Sequence, residues 1–97
     1  MHDNINLIIK NLSYNKDNNY MTILFNHNDV DKEIIVRLVY DYIEDDVIKG
    51  ISSEELEEFL MNFMHIKNRR NFLNKFFKTI FDYAENQDSV TFPVRII

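Results

Sequence analysis

The chain has 97 residues, with 16 acidic against 11 basic side chains, a formal net charge of −5, 45% hydrophobic residues and no cysteine. That length builds one domain (1–97) whose interior is too small to bury a large cofactor, and the apolar fraction excludes intrinsic disorder. Without cysteine there are neither disulfides nor thiolate metal sites, which fits a reducing compartment.

In the opening MHDNINLIIKNL there is no basic leader, and Asn6, Lys10 and Asn11 interrupt its apolar residues. Neither a signal peptide nor a membrane span is expected, so the cytosol is the expected compartment. Ile5, Ile8, Ile9 and Leu12 are spaced as on a helix, which predicts a short helix over 3–12. SYNKDNN (13–19) reads as a turn, and YMTILFN (20–26), β-branched and aromatic, as a strand. Asn28 or Asp29 then offers a helix N-cap.

Two periods compete over residues 30–48. The doublets Ile34/Ile35, Leu38/Val39 and Tyr42/Ile43 recur every four residues, as on a helix. Ile34, Val36, Leu38, Tyr40 and Tyr42 also alternate, as on a strand. Helix is preferred here, with strand left open. Next, Ser52 or Ser53 caps a helix with a Glu-rich first turn and an inner face of Leu56, Phe59, Leu60, Phe63 and Met64. A longer helix over 68–83 turns Phe72, Leu73, Phe76, Phe77, Ile80 and Phe81 inward. VTFPVRII (90–97) reads as a terminal strand placed at a sheet edge by Pro93, which has no N–H to donate. The expected fold is α+β, with three to four helices and a small two- or three-stranded sheet.

GISSEELEEFL (50–60) is similar to the exit half of an EF-hand, with Glu55 where the twelfth, bidentate ligand stands. Upstream the pattern fails, because Ile48 occupies the fifth position and Lys49 the sixth, where the loop needs glycine. A second echo at FDYAENQDSVTF places Val94 at the twelfth position. Calcium binding is therefore not expected.

No catalytic motif assembles either. Gly50 is the only glycine, which excludes phosphate-cradling loops and a nucleophile elbow. His2, His27 and His65 are scattered, and His27 beside Asp29 and Asp31 is explained by turn formation as well as by metal binding. A non-enzymatic protein without cofactor or metal is expected.

Charge is segregated instead. Residues 41–58 hold Asp41, Glu44, Asp45, Asp46, Glu54, Glu55, Glu57 and Glu58 against Lys49 alone, whereas 65–78 hold Lys67, Arg69, Arg70, Lys75 and Lys78 with no acid. As a helix, the acidic stretch would span roughly 27 Å, or ~3.4 Å per charge, close to the phosphate spacing of one DNA strand. Solvated helix faces that pair with each other are the plain explanation. The preferred reading is an acidic ridge that docks into the basic groove of a protein partner, as nucleic-acid-mimicking inhibitors do. In size, charge and composition the chain resembles small acidic phage proteins such as anti-CRISPRs. Its one alanine, one proline, thirteen asparagines and thirteen isoleucines follow the codons of an A+T-rich genome, bacterial, phage or viral. The alternative is a winged helix-turn-helix regulator that reads DNA through Arg69, Arg70, Asn71, Asn74, Lys75 and Lys78. Against it stand the net negative charge and an apolar NFMHI (62–66) that offers no glycine-containing turn. A generic protein-interaction domain is the remaining alternative.

Overall fold

The computed structural model describes residues 6–97. His2 and the first residues of the predicted 3–12 helix lie outside them. The rest of that predicted helix is strand β1 (Leu7–Asn15), followed by β2 (Tyr20–His27), β3 (Val30–Ile43) and β4 (Asp46–Ser52). Helices α1 (Glu54–Met61) and α2 (Arg69–Glu85) come next, then a 3-10 turn and the short β5 (Val94–Arg95). The strands form one antiparallel sheet in the order β4-β3-β2-β1-β5. The expected small sheet with three to four helices is thus overturned by a five-stranded curled sheet carrying two helices.

The hairpin turns follow from asparagine and acidic residues. Asn28 and Asp29, expected to cap a helix, both have positive φ, at 51° and 68°. They form the two-residue turn between β2 and β3, with the sign pattern that suits the right-handed twist of a hairpin. Asn19 (φ 62°) and Glu44 (φ 54°) serve the other two hairpins.

Residues 30–48, for which a helix is preferred from the sequence, fall in the β3–β4 hairpin, registered from Arg37↔Ser52 to Ile43↔Asp46. Ile34, Val36 and Leu38 are buried on its concave face, while Ile35, Arg37, Val39 and Asp41 alternate onto the convex face. Only the C-terminal half of β3 pairs with β4, so α1 lies beside the other half. It is tied there by the Ser53 hydroxyl, which donates to the Ile35 carbonyl at 3.4 Å.

The core fills the concavity. Ser53 caps α1 by accepting from the Leu56 N–H. Leu56, Leu60 and Phe63 pack beneath it, and Phe72, Phe76, Ile80 and Phe81 of α2 complete the layer. Phe77, expected inside, is 38% exposed and lies flat against Phe81, with ring centroids 6.4 Å apart. α2 is fixed across the sheet by the buried Tyr83 hydroxyl, which donates to the Leu12 carbonyl at 2.9 Å. Tyr83→Phe is expected to lower stability by about 1 kcal/mol in urea unfolding, since a buried acceptor loses a donor. An unchanged midpoint would show that this bond does not anchor the helix. The predicted 90–97 strand is strand only over Val94 and Arg95, with the Ile96 and Ile97 N–H groups also donating to the Leu7 carbonyl, and it does lie at a sheet edge, beside β1.

Candidate functional site: an acidic edge with an apolar middle

The eight carboxylates picked out by charge segregation fall at the two ends of the outer strand β4, in two groups rather than one ladder. Asp41, Glu44, Asp45 and Asp46 surround the tip of the β3–β4 hairpin, and Glu54, Glu55, Glu57 and Glu58 ride on α1. Between the groups runs β4, seven residues long, or roughly 23 Å of extended chain. The continuous helical ridge with evenly spaced charges is therefore corrected to two clusters flanking a strand. All eight side chains are exposed.

Among the described residues none of the eight has an ion-pair partner. The described residues contain three salt bridges, Lys10–Asp31 at 3.2 Å, Lys49–Glu85 at 3.0 Å and Lys78–Asp82 at 2.6 Å. None of these joins the acidic stretch to the basic one, so the two do not pair with each other. Lys49, the lone base among the acids, is engaged by Glu85 and sits 5.7 Å over the Phe81 ring. Lys78, held above its usual range by its hydrogen bond to Asp82, is engaged on its own helix. Concentrating like charge without internal partners works against the compact state, and a chain that retains it gains little from it in folding.

Charge alone concealed the apolar residues of this edge. Tyr42 is 75% exposed, and Ile43, Val47 and Ile48 are each about half exposed. The signal in the sequence was DYIEDDVIKG, two β-branched runs separated by acids, which is a hairpin pattern lacking its customary Asn-Gly. Beside them Tyr40 is partly buried between Tyr14 and Phe81. Burial first, then the neighbouring Tyr14 phenol and the Glu85 carboxylate, push its hydroxyl up to about 12. At neutral pH it stays protonated and cannot serve as a base.

The apparent EF-hand half has no loop. Residues 44–55 run through a hairpin turn, β4 and the first turn of α1, which places Glu44 and Glu55 at opposite ends of a strand. Among the described residues no three His, Asp or Glu side chains converge as a metal site. His27 packs edge-on against Phe63, with centroids 4.8 Å apart. Beside it, Asp31 accepts hydrogen bonds from Asn26 and Lys10, and these, Asn26 first, hold its carboxyl below the usual range.

On the opposite charge face, Arg69, Arg70, Asn71, Asn74, Lys75 and Lys78 are all exposed on α2. Arg69 donates to the Met64 carbonyl at 3.3 Å, which folds it back on the connection from α1. α1 and α2, the helices of the alternative helix-turn-helix reading, both pack on the core side of the sheet, and β5, part of its expected wing, pairs with β1. No protein family matches this chain, and no curated protein matches it either. No helix among the described residues is long and apolar enough to cross a membrane.

Proposed function

We propose that this is a non-enzymatic binding domain of the host cytosol that docks its acidic edge into a basic, nucleic-acid-binding groove of a protein partner. The observation that carries this reading is the set of eight exposed carboxylates at the two ends of β4, none with an ion-pair partner among the described residues. Such a surface steers toward a basic groove, speeds encounter and makes binding steeply salt-dependent. Its charge would occupy the place of nucleic-acid phosphates, and this makes the domain an inhibitor or regulator of the partner, in the manner of anti-CRISPR proteins. The A+T-rich codon bias is in keeping with a mobile element as its source.

The test is displacement. Immobilised protein, exposed to extract at low salt, should retain a nucleic-acid-binding protein that random duplex DNA releases. A retained partner that DNA leaves in place would contradict the groove reading. The exposed basic face of α2 supports a second reading, direct DNA binding. It requires the purified protein to bind random duplex DNA and to lose that binding when Arg70, Asn71, Lys75 and Lys78 become alanine.

A further inference from the structure

β4 is the outer strand of the sheet at this edge among the described residues, so one side of its backbone is unpaired. Sheet edges of this kind are commonly blunted by proline, by outward charge or by a bulge. β4 has no proline and its pairing with β3 is regular throughout; Lys49, its one base and the kind of charge that guards an edge, is held on the concave face by Glu85. Val47 and Ile48 leave apolar surface on both sides of the strand, and around Gly50 a side chain would meet nothing within 4 Å. The unpaired stretch is bounded by Glu44, Asp45 and Asp46 at one end and by Glu54 and Glu55 at the other.

We infer that β4 accepts an extended segment of the partner as a sixth strand, and that this segment is apolar in the middle and carries lysine or arginine at both ends. The inference rests on the docking proposed above and adds the mode of capture: backbone hydrogen bonds to β4 hold the segment, and the two acid groups select its ends. Charge decides the occupant. A second copy pairing antiparallel would set its Glu44–Asp46 turn against Glu54 and Glu55, and a parallel copy would set turn against turn. Both arrangements stack like charges, whereas a basic-ended strand is complementary along its whole length.

The test uses isotope-labelled protein and three synthetic peptides of about nine residues, long enough to span β4. The first has alternating valine and threonine between paired lysines, the second has glutamates in place of the lysines, and the third keeps the lysines but is N-methylated along its centre. The lysine peptide should bind saturably and slow amide exchange within Val47–Ile51. The N-methylated peptide should bind about tenfold more weakly or worse, having lost strand donors, and the glutamate peptide should not bind. Equal binding by the N-methylated peptide, or protection elsewhere than β4, would overturn the inference and leave docking through charge intact. So would failure of the lysine peptide to bind, because displacement by duplex DNA judges the docking separately. Concentration-dependent protection of β4 without peptide would assign the edge to a second copy and overturn it as well.

Discussion

Phe76→Ala is expected to lower the unfolding free energy by about 3–5 kcal/mol, the range for removing a large aromatic ring from a packed core. Phe76 is buried at the centre of α2, with its ring 5.8 Å from Phe25 and 6.0 Å from Phe77. Phe25 in turn packs tilted against Phe59, with centroids 4.7 Å apart, so this ring cluster joins both helices to the middle strand. A cavity there has backbone on the sheet side and cannot collapse cheaply. Against a total stability of about 5–15 kcal/mol, the loss is large. Denaturant unfolding measures it, and a midpoint equal to that of the parent would mean that the ring does not join helix to sheet. Phe77→Ala, at the exposed margin, should cost clearly less.

Val36→Asp is expected to be at least as damaging, about 4 kcal/mol or more, because it places a charge without a partner in the apolar layer beneath the sheet. Val39→Asp, three residues on but across the sheet, should cost about 1 kcal/mol or less. Val36 is 1% exposed and Val39 37%. On a helix these two positions would share a face and respond alike. Thermal unfolding of both variants therefore tests the strand assignment of β3. Similar losses in the two would contradict it.

The reason this strand was hard to read lies in its convex face. Ile34, Val36 and Leu38 mark the concave side with a clean period of two, but Ile35, Val39 and Ile43 are apolar while exposed. Together the two sets create doublets every four residues, a helical period without a helix. β1 hid itself differently. Its register shifts between Ile9 and Asn11, so the inward residues run Leu7, Ile9, Leu12 and Tyr14, and the bulge breaks the alternation. β2 and α2 are the elements where the sequence pattern and the structure agree best, Phe77 apart. Ser53 as the cap of α1 was legible because its chemistry is local.

The acidic residues were legible from composition, but their arrangement was not. Distance along the chain gave one even ladder, whereas the hairpin turn separates the acids into two groups with apolar strand between them. Tyr42 and Ile43 were absorbed into a supposed helix face, and Val47 and Ile48 carried no signal of their own, so none stood out as exposed surface. The pairing of β3 with β4 sets the two apolar runs side by side, Tyr42 opposite Val47.

The central claim, that this edge and not the basic face of α2 carries the activity, is tested most directly by comparing two charge variants in one capture assay. In the first, Glu44, Asp45, Asp46, Glu54, Glu55, Glu57 and Glu58 become lysine; in the second, Arg70, Lys75 and Lys78 become glutamate. All these side chains are exposed, so circular dichroism should show both variants folded. The association rate with the DNA-displaceable partner should fall by about tenfold to a thousandfold in the first variant, and should hold or rise in the second. Capture that survives reversal of the edge and is lost on reversal of α2 would contradict the account.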